Sequence, residues 1–128
     1  MERFCWKGWV TPGKLEEYAE KHNNMCAEME EMMRAAGMRN YSIWANGNDL
    51  IGYYEYLGPE KKAEVYEKQR DVLARWNENM QGLNGMELDE DGKPKVWKMI
   101  WLMMQTFRNF SGRPFSISQV NTLPKMPL

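Results

Sequence analysis

The sequence predicts a single α+β domain whose antiparallel sheet carries its helices on one face. Three observations lead there. The 128 residues suffice for one domain of ordinary size, since domains typically run about 100–150 residues. Apolar residues change period along the chain in the order strand, helix, strand, strand, helix, strand. The second and third strands are joined so tightly that they must run antiparallel.

Residues 3–11 are rich in aromatic and apolar side chains and stop at Thr11-Pro12-Gly13, a turn sequence that ends a strand and admits a helix. Next, Leu15, Tyr18, His22, Met25, Cys26, Met29, Met32, Met33 and Ala36 fall at helical spacing with glutamates mostly between them. This predicts one helix ending at Gly37, a residue suited to the left-handed C′ position. Residues 41–45 read as a second strand, Asn46-Gly47-Asn48-Asp49 as a hairpin turn and residues 50–57 as a third strand. Gly58-Pro59-Glu60 opens a second helical region, with Ala63, Tyr66, Leu73, Trp76 and Met80 on one face. Asp71 is placed to cap a fresh helix and split that region in two. Residues 81–95, with Gly82, Gly85, Gly92, Pro94 and the run Asp89-Glu90-Asp91, read as a polar loop with solvated charges. Residues 96–110 alternate bulky side chains and read as the last strand. The domain then spans 1–110, and 111–128 form a tail rather than a second domain.

This β-α-β-β-α-β order is the split βαβ plan of ferredoxin-like folds. In the third strand Ile51 and Tyr53 oppose Leu50, Tyr54 and Tyr56, so both parities are apolar, whereas a sheet with one wet face alternates apolar with polar. A second subunit covering the outer face accounts for this.

Composition narrows the function classes. With 43% hydrophobic and 27% charged residues, the chain matches a folded soluble domain. A formal net charge of −1, with Lys and Arg scattered, provides no basic stripe for nucleic acid. No uncharged apolar run approaches the roughly 20 residues of a membrane span, and the first residues lack an apolar signal core. These readings place the chain in the cytoplasm, away from nucleic acid and membrane. Cys5 and Cys26 read as reduced thiols, and two cysteines with one histidine make a poor metal set.

Tyr18 and the chain's single histidine, His22, lie four residues apart and so share the inward face of the first helix. An imidazole that titrates near neutral pH beside a phenol suits proton transfer. Core packing fits the same spacing. Tyr41, Tyr53, Tyr54, Tyr56 and Trp76 are within reach of the helix-covered side, where aromatic planes would stack on the C–H faces of a sugar or simply fill the core. No phosphate loop, nucleophile elbow or paired Cys-x-x-Cys is present in the sequence.

Glu17-Tyr18 followed by His22, Gly37-x-x-Asn40-Tyr41-Ser42-Ile43, Glu55, and Arg75-Trp76 with Met80 together resemble the L-rhamnose mutarotase family over roughly residues 3–110. The resemblance implies a dimeric α+β barrel that interconverts the α and β anomers of a deoxy-hexose without metal or organic cofactor. It implies His22 as proton donor, Tyr18 and Tyr41 on the sugar hydroxyls, and Trp76 in the pocket where the family has an aromatic pair. Asn77 stands at the second position of that pair, replacing an indole plane by an amide, which bears on the choice of sugar. The expected partners are a monosaccharide and a second copy of the chain.

Mutarotation opens the pyranose ring: a base takes the anomeric hydroxyl proton, an acid protonates the ring oxygen, the aldehyde rotates and closure reverses the steps. On this reading His22 serves the ring oxygen, and Tyr18 or a water the anomeric hydroxyl. Two other readings fit the same residues. One is a cofactor-free monooxygenase on the same dimeric plan. The other is a non-catalytic sugar-binding or regulatory module in which His22 only packs.

Overall fold

The computed structural model describes residues 1–103. The chain divides into two units, Met1–Lys98 and Met99–Leu128, and the elements below belong to the first. They run β1 (Glu2–Val10), α1 (Leu15–Asn23), α2 (Ala27–Ala35), β2 (Arg39–Asn46), β3 (Asp49–Tyr56), α3 (Pro59–Lys68), α4 (Arg70–Asn79) and β4 (Asn84–Met86). The sheet has the order β2-β3-β1-β4, with every pairing antiparallel. This is the expected ferredoxin-like architecture.

β2 and β3 meet across Gly47-Asn48, and Gly47 takes the left-handed φ of 62° that such a two-residue turn demands. Near its start β2 carries a bulge, where Asn40 and Tyr41 oppose the single residue Tyr54, between the pairs Arg39↔Glu55 and Ser42↔Tyr53. Asn40 has φ 53°, and its amide donates to Glu55 Oε1 at 2.9 Å. At the centre Trp6 lies opposite Gly52. A Cβ on Gly52 would come within 2.1 Å of the indole, so only glycine admits Trp6 there.

The first helix is shorter than expected. Instead of running to Ala36, it stops at Asn23 and restarts at Ala27, because Cys26 is extended at φ −66° and ψ 151°. Asn24 accounts for the stop: its backbone N–H and side-chain amide both donate to the Glu20 carbonyl, closing the last turn. α2 then ends where expected, with Gly37 at φ 77°. The second helical region also divides, at Gln69 rather than Asp71. Its inner face differs in three positions: Val65 and Val72 are buried, whereas Ala63 is exposed.

The last strand is the main correction. It is the three-residue β4, inside the stretch expected to be polar loop. Gly85 makes this possible, since its backbone lies against Trp9 where a Cβ would clash at 2.2 Å. After a turn held by Asp89, whose Oδ1 accepts from the Asp91 and Lys93 N–H groups at 2.9 Å, the chain returns to β1. There Val96 bridges Trp6 and Trp97 N–H donates to the Cys5 carbonyl at 2.9 Å. Residues 97–103 form no strand; the rest of the expected strand and the tail lie outside the described residues.

Two apolar clusters form the core. Trp6, Val10, Tyr18, Leu50, Tyr54, Tyr56, Met80 and Leu83 fill the space over the sheet, and Met29, Met32, Ala36, Val65 and Val72 join the helices to one another. Trp76 and Met38 pack against both. Two polar ties fix the helices over the sheet: Lys21 donates to the Asn79 carbonyl at 2.6 Å, at the open C-terminal end of α4, and Arg75 of α4 pairs with Glu28 of α2 at 2.6 Å. Among the described residues no helix is long and apolar enough to cross a membrane.

Candidate functional site

Between the helices and the inner face of the sheet lies a cavity of about 790 Å³, within the usual range for small-molecule sites. Its floor is sheet, with Tyr41, Ile43, Leu50 and Tyr54; its walls are helical, with Tyr18, His22, Lys62, Tyr66 and Trp76. Of the expected site residues, Tyr18, His22, Tyr41 and Trp76 therefore meet in one space. Asn77 does not: it is exposed, about 100° around α4 from Trp76. Tyr53 and Tyr56 are also elsewhere, Tyr53 on the outer face and Tyr56 within the core.

His22 is half-buried, its ring 4.4 Å from Tyr18 and 5.2 Å, edge-on, from Trp76. Its Nδ1 lies 2.9 Å from the Tyr18 carbonyl oxygen. A carbonyl only accepts, so Nδ1 carries a hydrogen and donates it. Nε2 is left as the nitrogen with the free lone pair. A second contact commonly fixes the tautomer of an imidazole in this way.

The phenols form a connected group centred on Tyr41. Trp6 Nε1 donates to the Tyr41 hydroxyl at 3.3 Å, and the Tyr41 ring lies 4.8 Å from that of Tyr54. Burial pushes the Tyr18 hydroxyl well above the ordinary tyrosine range, and the neighbouring Tyr41 adds to the shift. Tyr66 is pushed up to about 12 by burial and then by Tyr41; burial raises Tyr41 itself. At neutral pH all of them are uncharged phenols that donate and accept hydrogen bonds.

Sequence reasoning missed Lys62, Trp6 and Tyr66. Lys62 sits in Pro59-Glu60-Lys61-Lys62, which reads as the solvated start of a helix. Its signal was position: it precedes Tyr66 by four residues and so shares the inner face. Trp6 could be read only as a strand residue, because its partner Tyr41 is 35 positions away. Among the described residues no three His, Cys, Asp or Glu side chains gather where they could hold a metal ion.

Fold and cavity together define a ferredoxin-like α+β protein with an aromatic pocket and one imidazole in its wall. The family model for L-rhamnose mutarotase matches residues 3–108. The chain belongs to the L-rhamnose mutarotase family, isomerases that interconvert sugar anomers. An L-rhamnose mutarotase of Lachnoclostridium phytofermentans is 31% identical over 96 residues, 73% of this chain and 88% of that protein. One of Listeria monocytogenes is 33% identical over 79 residues, 59% of this chain and 73% of that protein. The crystal structure of an L-rhamnose mutarotase from Formosa agariphila superposes with a TM-score of 0.62 at 19% identity, covering 81% of this chain and all of that one; it shows the shared fold. The family match favours the isomerase over the monooxygenase and the binding module.

Proposed function

We propose that the protein interconverts the α and β anomers of L-rhamnose or a related deoxy sugar by acid/base opening of the pyranose ring, as a homodimer in the cytoplasm. The observation that carries the reading is His22: its Nδ1 is held by the Tyr18 carbonyl at 2.9 Å, and its ring sits in the wall of a cavity that Tyr18, Tyr41 and Trp76 also line. Nε2 gives a proton to the ring oxygen as the bond to the anomeric carbon breaks and takes it back on closure. Tyr18 and Tyr41, neutral at working pH, hold the sugar hydroxyls. Tyr18 or a water serves the anomeric hydroxyl by hydrogen bond, and its proton passes to water, because a neutral phenol takes no net proton. Trp76 offers its indole to the apolar face of the ring.

Anomer exchange of L-rhamnose, followed by NMR saturation transfer, tests this directly. His22→Ala should lower enzyme-catalysed exchange by roughly 10²–10⁴-fold, the usual contribution of one positioned acid or base. Circular dichroism should show the fold retained. Exchange at the wild-type rate in a folded His22→Ala protein would sink the assignment.

A further inference from the structure

We propose that the cavity also accepts sugars that carry a carboxylate, such as hexuronates, with Lys62 as the residue that receives the negative charge. This rests on the mutarotase reading and extends its substrate class. Lys62 comes from the first turn of α3, yet its side chain turns inward and lines the cavity. Its Nζ donates to the Tyr54 hydroxyl at 3.1 Å. It also lies 5.3 Å from the centre of the Tyr66 ring, 5.5 Å from that of Tyr54 and 5.8 Å from that of Phe4.

Lys7, Lys14, Lys21, Lys61, Lys68 and Lys95 each lie within 4.0 Å of a glutamate. Lys62, the most enclosed by aromatic rings, has no carboxylate at that distance among the described residues. The ammonium carries three N–H donors, and Tyr54 takes one. Ring faces attract a cation but accept no strong hydrogen bond, so donor capacity remains toward the cavity. Lys62 is half-buried; an ammonium drawn away from water is ordinarily matched by an opposite charge, and partial burial pulls this one below the usual lysine range.

The remaining charged lining groups strengthen the case. Arg34 and Arg39 border the cavity, and Glu30 is the one carboxylate beside them, leaving an excess of positive charge. A 6-deoxy sugar presents a methyl at its last carbon and gives the half-buried ammonium no charge to pair with. A uronate places a carboxylate at that carbon and keeps a free anomeric centre, so ring opening proceeds as before, with no change of oxidation state.

The same saturation-transfer assay decides the matter, applied to L-rhamnose and to a panel of D-glucuronate, D-galacturonate and L-iduronate. Wild-type protein is expected to accelerate anomer exchange of at least one uronate. In Lys62→Met, which keeps the apolar stem, the ratio of uronate to L-rhamnose exchange should fall about tenfold or more, the worth of a charged hydrogen bond. Lys62→Arg should restore much of it. Acceleration of L-rhamnose exchange but of no uronate would overturn the proposal and leave the mutarotase reading standing. An unchanged ratio in Lys62→Met would overturn it too. Exchange of neither sugar class would overturn the mutarotase reading, and this proposal with it.

Discussion

At the scale of single residues, burial decides the chemistry of the cavity. Tyr18, Tyr41, Tyr54 and Tyr66 all retain their protons more firmly than free tyrosine because the phenolate would be desolvated. A group whose folded pKa is raised contributes stability that is complete below its unfolded pKa and is lost as pH rises through the folded one. For Tyr66 that window runs from 10.0 to about 12. Lys62 is shifted the other way, so its effect has run its course by about pH 10.5, the ordinary lysine value. Four tyrosines outweigh one lysine. The urea midpoint should therefore decline between pH 10.5 and 12, and decline less steeply in Tyr66→Phe. A flat profile over that range would contradict the enclosure of these hydroxyls. The tyrosine identities were legible from the sequence, as was the sharing of a face by Tyr18 and His22. That Lys62 turns inward was not, because a lysine in the first turn of a helix is ordinarily solvated and only its packing shows otherwise.

At the scale of elements, short polar signals outweighed apolar periodicity. The spacing from Leu15 to Ala36 is continuous, yet Asn24 closes α1 by taking the Glu20 carbonyl twice, and the period resumes after three residues out of helix. The bulge of β2 is a second case. It delivers both Asn40 and Tyr41 opposite Tyr54, and it relies on a left-handed residue whose amide reaches Glu55. Asn40→Val should lower the stability to urea by about 1–2 kcal/mol, the cost of left-handed backbone for a residue that is neither Gly nor Asn or Asp. Asn40→Gly, which adopts that conformation freely, should lose less, and equal losses would contradict the strain argument. β4 was invisible for a related reason. Its three residues include Asn84 and Gly85, neither β-prone, and they pair because β1 offers a free edge and Gly85 fits beneath Trp9.

At the scale of the whole molecule, the outer face of the sheet carries Trp44 at 70% exposure, Trp9 at 47% and Ile51 at 44%, apolar surface of the kind that protein–protein contacts use. A second copy of the chain placed there predicts a dimer in sedimentation equilibrium. It predicts a shift to monomer in Trp44→Glu or Ile51→Glu, with the fold retained because both side chains are exposed in the single chain. A monomeric wild type would refute the assignment. The sequence by itself determined the order of the first three strands and the two helical regions, the hairpin and the pairing of Tyr18 with His22, because each follows from spacing within one segment or across one turn. The tertiary structure alone decided which residues far apart in the chain share the cavity. It joined Trp6 to Tyr41 and Lys62 to Tyr54, set Asn77 outside, and moved the last strand to Asn84–Met86. Those outcomes depend on which backbones can approach and which polar side chains turn inward, and local periodicity contains neither.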